Sequence, residues 1–500
     1  MTGRGKKSSK KKKFASGVSQ HNLLAFGSAE GLPSDDSEDS DYQPSDGEQP
    51  STSKRKRGKK QSSSQPAVKK STRTEIQPKN TSTSLDWSHR IPNELLHKIF
   101  LSAVHNFSAV PFLCRISQVC RKWQAVASDA SLWYSVDLSF MANSLKAKDE
   151  TLNLLRGRNF LKHIQNLNFN GWHKLTSSGL EVIGSHCMEL RSIDLSKCGK
   201  VTARGVSLIA SYCTKLTSIN LSYVQTDVTS NMSIKNLLHE RGCQLEALYL
   251  AGNKSIGTPS LIAVQSCCEN LKILDLSCTS ITSFHVEKLQ AGCPHLIELR
   301  LSQLSLLPST VTANQMDASA GFPDLELLSL ASITGGDGTD DRFLQRLLKT
   351  SSKLRQLDLR GCEKISHQAF PNLPAVSLEQ LFLSRCKISW KDLFKIIKTR
   401  WRDSLKELDV SWCNNLDDVA LLTLASIPYT IVTTLNLAGT GVGTVGVRSI
   451  VDSCPNLTEL NLTSCRGVPR GVKQLHGAEN IRKLRAQLHS APEHVELDTL

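Results

Sequence analysis

Between residues 164 and 462 one short pattern, apolar-x-x-apolar-x-apolar, recurs twelve times at intervals of 24 to 29 residues. It runs from IQNLNF (164–169), LRSIDL (190–195) and LTSINL (216–221) to VTTLNL (432–437) and LTELNL (457–462). Self-similarity of this kind constrains the fold more than any other feature of the chain. Each match offers a short strand whose apolar side chains need cover. The stretches between matches offer helices, as in SSGLEVIGSHC (177–187). A unit this short cannot bury its own apolar face, but a stack of them can. The expected architecture is therefore an α/β solenoid, with parallel strands on the concave side and helices on the convex side. VDL (136–138) is expected as an atypical first unit. Pro308, Gly321 and Pro323, with GGDGTDD at 335–341, interrupt the pattern in segments 302–324 and 331–342. These segments are either slack or recognition loops.

The residue between the last two apolar positions of each strand points away from the core. That column reads Asn168, Asp194, Asn220, Tyr249, Asp275, Arg300, Ser329, Asp358, Phe382, Asp409, Asn436 and Asn461. A solvated polar ladder accounts for most of it. Tyr249, Arg300 and Phe382 depart from it, and just past the strands Tyr223, Arg385 and Trp412 stand among small residues. Aromatic residues and Arg are the usual anchors of protein interfaces. Tyr249, Arg300, Phe382, Arg385 and Trp412 thus form a candidate binding surface. Ten of the fifteen cysteines follow the same period. Cys198, Cys362, Cys386, Cys413 and Cys465 lie three residues past a strand's last apolar position. Cys187, Cys213, Cys268, Cys293 and Cys454 lie three residues before the next strand. Such placement suits reduced thiols in buried turns. No Cys/His set has zinc spacing, and the adjacent Cys267 and Cys268 do not form a redox motif. No metal or cofactor is expected.

Ahead of the repeats, apolar residues at 91, 95, 96, 99, 100, 103 and 104 mark one helix face. Pro92 suits its first turn, and Glu94 suits the positive end of the helix dipole. A second apolar pattern runs through Val119, Cys120, Trp123, Val126 and Ala127, and Leu132 and Trp133 close the block. Three short helices give a thin core, which gains stability from a neighbouring domain or a partner. Residues 1–85 are rich in Lys, Ser, Gly, Gln and Thr and are expected to be disordered. They hold 17 Lys+Arg against 9 Asp+Glu, more than half of the net charge of +15. The rest of the chain is only mildly basic, so no nucleic-acid groove is expected. Lys10–Lys13 and KRKRGKK (54–60) have the composition of nuclear-import signals. Between them, Ser37, Ser40 and Ser45 sit beside acidic residues, as acidophilic-kinase sites do. No apolar h-region, long apolar run or Gly at position 2 appears. A soluble, intracellular protein is expected, nuclear if the basic clusters act as import signals and cytoplasmic if they only solubilise the tail. The expected organisation is a tail (1–85), a helical module (86–135), repeats (136–476) and a C-terminal tail (477–500).

The helical module resembles an F-box. The resemblance is carried by Ile91, Pro92, Glu94, Leu95, Leu96, Ile99 and Phe100, then by Val119, Cys120, Arg121 and Trp123, and finally by Leu132 and Trp133. It departs from the family at Ile91, where Leu is usual, and in a longer stretch between the first two helices (VHNFSAVPF, 104–112). The array resembles the cysteine-containing class of leucine-rich repeats, and the two together resemble the F-box/leucine-rich repeat family. The resemblance implies that Pro92, Leu95, Leu96, Ile99, Phe100, Val119 and Trp123 contact a Skp-type adaptor, which joins the chain to a cullin and a RING protein; Leu96, Ile99 and Trp123 suit the module's own core equally well. The repeats would hold a protein substrate for ubiquitination. Catalysis would act by proximity, with no nucleophile, base or cofactor from this chain. The alternative is a non-catalytic scaffold that binds the adaptor without directing ubiquitin transfer. A leucine-rich-repeat GTPase activator shares the fold, but the F-box resemblance argues against it. No phosphate loop, metal cluster or nucleophile motif points to an enzyme.

Overall fold

The computed structural model describes residues 91–106, 108–156, 161–225, 227–307, 319–332, 338–426, 428 and 431–490. The 1–85 tail, both basic clusters and parts of the two interrupted segments lie outside them. Among the described residues, each repeat match becomes a three-residue strand, and the strands pair in chain order into one sheet. They are β1 (Ser135–Asp137), β2 (Asn166–Asn168), β3 (Ser192–Asp194), β4 (Ser218–Asn220), β5 (Ala247–Tyr249), β6 (Ile273–Asp275) and β7 (Glu298–Arg300). The second half comprises β8 (Leu327–Ser329), β9 (Gln356–Asp358), β10 (Gln380–Phe382), β11 (Glu407–Asp409), β12 (Thr434–Asn436), β13 (Glu459–Asn461) and β14 (Leu475–Gly477). Pairing is parallel and without stagger: Leu167 lies opposite Ile193, and Ile193 opposite Ile219. These middle residues are buried in every repeat, so the cores of successive units fuse.

The helices form two groups. α1 (Asn93–Asn106), α2 (Ala109–Ile116) and α3 (Arg121–Ala127) make the N-terminal module. α4 (Asp149–Arg156), α5 (Ser177–His186), α6 (Ala203–Tyr212), α7 (Asn231–Arg241), α8 (Thr258–Cys267), α9 (Val286–Gly292), α10 (Asp341–Leu347), α11 (Trp390–Arg400), α12 (Asp418–Leu424) and α13 (Thr444–Ser453) return the chain between strands. Between β9 and β10 the return shrinks to a 3-10 turn, His367–Ala369. Where the repeat between β7 and β8 is interrupted, polar contacts span the gap. Arg346 of α10, almost fully buried, donates to Glu287 of α9 at 2.9 Å, and Gln290 donates to the Arg346 carbonyl at 2.8 Å.

The cysteine periodicity has a hydrogen-bonding cause. In five repeats the thiol three residues past the strand's last apolar position donates to the carbonyl of the preceding strand's last apolar residue. Cys198 reaches Phe169 O at 3.2 Å, Cys386 reaches Leu359 O at 3.1 Å and Cys465 reaches Leu437 O at 3.1 Å. In the fifth strand's repeat, Asn253 Nδ2 plays the same part toward Leu221 O at 2.8 Å. A buried carbonyl left without a donor is costly, so this position selects small donors. Burial also lifts the thiols far above their ordinary range; Cys198 and Cys362 are pushed up to about 12. Thiolate chemistry is thereby suppressed.

Both ends of the array are closed. β1 precedes the first full repeat, and Trp172 Nε1 donates to Leu138 O at 2.8 Å across this join. At the far end residues 477–490, set apart in the sequence as a C-terminal tail, fold along the array. β14 pairs antiparallel with β13, and α14 (Ala478–Ser490) lays Ile481, Leu484 and Leu488 on the last repeat. Arg485 holds it there through Val451 O at 2.7 Å. The reversal hides the apolar end of the stack, which an open solenoid would expose. Among the described residues no helix is long and apolar enough to cross a membrane.

Two residues past each strand's last apolar position, the backbone turns left-handed in most repeats, for example at Lys197, Tyr223, Arg385 and Trp412. Gly361 occupies this position with φ +75°, and a Cβ there would meet Ser332 O at 1.8 Å. Gly361→Ala is therefore expected to destabilise the fold by about 1–3 kcal/mol or more. Gly199→Ala, where a Cβ meets nothing closer than 4.0 Å, is expected to be near neutral. Thermal melts of the two variants check this, and equal melting temperatures would overturn it.

Candidate functional site

α1 carries a wide apolar arc, and packing divides it in two. Leu96 and Phe100 are 1% exposed and form the module's core, with Phe100 edge-on to Phe112 at 5.9 Å and to Trp123 at 5.4 Å. Leu95 and Ile99, one position back on the helix, are 52% and 53% exposed. A 100° step per residue is enough to carry a side chain from core to surface. Val119, 58% exposed, and Pro92 are accessible as well. An open apolar groove is lined by Ile91, Leu95, Lys98, Ile99, Ser102 and Ala103. Of the seven expected adaptor contacts, Pro92, Leu95, Ile99 and Val119 are exposed, and Leu95 and Ile99 line the groove. Trp123 is half-buried, and its Nε1 lies below the surface without a hydrogen-bond partner. Leu96 and Phe100 are corrected to core positions, because their side chains point into the module. Ile91, read only as part of the pattern, helps line the groove.

On the concave face the Asp/Asn ladder has a local cause. Each side chain accepts the backbone N–H two residues on and so pins the turn that leaves the strand. Asp194 accepts from Ser196 at 2.8 Å, Asp275 from Ser277 at 2.9 Å, Asn220 from Ser222 at 3.0 Å and Asn461 from Thr463 at 3.0 Å. Tyr249, Arg300 and Phe382 cannot accept in this way, so three repeats forgo the cap. Tyr249 and Arg300 flank Asp275 on successive rungs. Arg300 pairs with Glu298 at 2.8 Å, and burial, then the Glu298 carboxylate, raises the Tyr249 hydroxyl.

Phe382 is corrected to a covered position, 8% exposed. The Arg360 guanidinium lies 5.5 Å above its ring while bonding Asp358 at 2.9 and 2.7 Å. Arg385 and Trp412 are exposed on the left-handed turns after β10 and β11. The five candidates therefore form two groups, Tyr249 with Arg300 and Phe382 with Arg385 and Trp412. Three rungs separate Arg300 from Phe382, roughly 14 Å at the usual strand spacing. Arg360 escaped the sequence reading because nothing in its local pattern signals a residue that folds back over the next strand. Among the described residues no group of three or more His, Cys, Asp or Glu side chains is placed to hold a metal ion.

Comparison with known proteins agrees with this division. Residues 89–139 match the F-box-like family model, and residues 186–210, 404–425 and 453–468 match the model described as Leucine Rich repeat. The chain is 25% identical over 292 residues to F-box protein SKIP19 of Arabidopsis thaliana, covering 57% of this chain and 72% of that protein. It is 28% identical over 295 residues to F-box/LRR-repeat protein 4 of Bos taurus, covering 53% and 45% respectively. The chain spans between 25% and 72% of the length of four curated relatives it matches. Among solved structures, a chain from the yeast complex of Rad7 and Elc1 aligns with a TM-score of 0.47 at 18% identity, covering 76% of this chain and 90% of that one.

One rung of the ladder carries an electrostatic penalty. Burial raises the Asp275 carboxyl above its ordinary range, against the pull of its Ser277 bonds and Arg300. The unfolded chain then ionises this group before the folded one does, so its contribution to stability falls as pH rises from the ordinary carboxylate range. Asp275→Asn keeps the cap, as Asn220 does, and removes the charge. The variant is expected to match the wild type near pH 3 and to gain relative stability toward neutrality. Denaturant melts across that range test this, and a variant less stable at neutral pH would refute it.

Proposed function

We propose that this chain is a member of the F-box/leucine-rich repeat family and the substrate-recognition subunit of a Skp-cullin-F-box type ubiquitin ligase. The observation that carries the reading is the exposure of Pro92, Leu95, Ile99 and Val119, with Leu95 and Ile99 lining an open apolar groove while Leu96 and Phe100 fill the core. An exposed cluster of this kind on a small helical domain marks a partner surface. The F-box-like match over residues 89–139 supports a Skp-type adaptor as that partner. Cullin and RING protein would join through the adaptor, and the concave face of the repeats would hold a protein substrate.

The join between module and array favours this role. Trp133 closes the module and β1 starts at Ser135, with no linker between. Trp133, Val136, Leu138 and Trp172 belong to one continuous core. A substrate on the concave face would sit at a set place relative to the adaptor. Ubiquitin transfer then gains from effective concentration rather than from a catalytic group on this chain. The basic clusters at 10–13 and 54–60 would direct the complex to the nucleus.

Leu95→Ala/Ile99→Ala is expected to weaken capture of a purified Skp-type adaptor by about two orders of magnitude while leaving the melting temperature unchanged. Leu96→Ala is expected to cost about 2–5 kcal/mol of stability instead. Pull-down titrations paired with thermal melts separate the two effects. A wild-type chain that fails to capture the adaptor would overturn the reading.

A further inference from the structure

The C-terminal half of the concave floor carries negative charge that the chain leaves largely unanswered. The outward positions of β9 to β13 hold Asp358, Glu407, Asp409 and Glu459. Arg360 spends its guanidinium on Asp358 and on the ring of Phe382. The neighbouring Lys406 turns to Glu379 at 2.7 Å instead. Glu407 accepts from neutral Gln380 at 2.8 Å, and Asp409 from the Ser411 N–H at 2.9 Å. Burial raises both carboxyls; for Glu407 the charges of Asp409 and Glu459 add to it, and Arg360 only partly opposes it.

The sheet register arranges these groups as a strip. Glu407, Thr434 and Glu459 occupy successive rungs, with Asp409, Asn436 and Asn461 beside them. Two strand spacings put Glu407 and Glu459 roughly 10 Å apart. Along one edge Trp412 stands half exposed, its ring so close over Gly439 that a Cβ there would come within 2.5 Å. This floor is negative in a chain of net charge +15, so its sign is local and not a reflection of composition.

We propose that this strip docks an extended cationic segment of a protein partner, with a lysine or arginine head group among Glu407, Asp409 and Glu459 and its aliphatic stem against Trp412. The identification of that partner as the ligase substrate rests on the receptor reading above; the chemistry of the segment rests on charge complementarity. A cation supplies the countercharge the floor lacks, whereas an acidic or phosphorylated segment would meet like charge. The Trp412 ring offers both apolar surface and a cation-binding face.

The test is fluorescence anisotropy of the full chain with a short labelled peptide in which Arg alternates with Gly and Ser, against the same peptide with Gln in place of Arg. The Arg peptide is expected to bind at least about tenfold more tightly at physiological salt. Glu407→Gln/Asp409→Asn/Glu459→Gln is expected to erase that preference without lowering the melting temperature, because Asn at 409 preserves the turn cap. Trp412→Ala is expected to weaken the Arg peptide further than the Gln peptide. Glu181→Gln/Glu240→Gln/Glu269→Gln, on the helical side, is expected to change nothing. Equal binding of the two peptides, or equal damage from the two triple variants, would overturn the proposal. Adaptor capture by the floor variant is measured in parallel. Loss of the peptide with the adaptor retained supports the strip as a separate site, and failure of the wild type to bind the adaptor sinks the receptor reading while leaving the peptide result to judge the strip.

Discussion

The structure depends on one constraint, that every strand meets its neighbour without stagger. The middle apolar residue of each strand then lies against its counterpart, and the carbonyl at the strand's end faces the next repeat's donor. Cys198, Asn253, Cys386 and Cys465 meet this demand with different chemistry at one position. Shifting the register by one residue would turn the leucine column outward and strand the carbonyls. The hydrophobic core and the hydrogen-bond ladder therefore select the same register, which is why such short strands suffice.

The same constraint decides what the ends must do. A stack has two open apolar faces, and this chain closes each differently. At the N-terminus the helical module and β1 share a core with the first repeat, so the module is also the cap. At the C-terminus the antiparallel β14 and α14 end the stack. Building the module into a structural cap couples its position to the whole array.

The concave face shows how structural demand shapes the outward column of the strands. Asp and Asn recur there because a side-chain oxygen must cap the turn beyond each strand. A repeat that places Tyr249, Arg300 or Phe382 in that column forgoes the cap. Phe382 shows that such a departure need not face solvent, since Arg360 lies over its ring and pairs with Asp358.

The repeat period, the strand positions, the outward column and both cysteine phases were legible in the sequence, because each follows from local spacing. The F-box pattern was legible as a pattern, and its wide apolar arc was the part that stayed ambiguous. Leu95 and Leu96 are chemically the same residue, and only packing against Phe112, Trp123 and the rest of the module sends one outward and the other inward. Arg360 over Phe382, the two separate groups on the concave face, the partly compensated Glu407 and Asp409 with Glu459 near them, and the C-terminal cap depend on which repeats become neighbours. Periodicity determines what each unit must bury; contacts between units, which lie some 25 residues apart in sequence, decide what remains exposed.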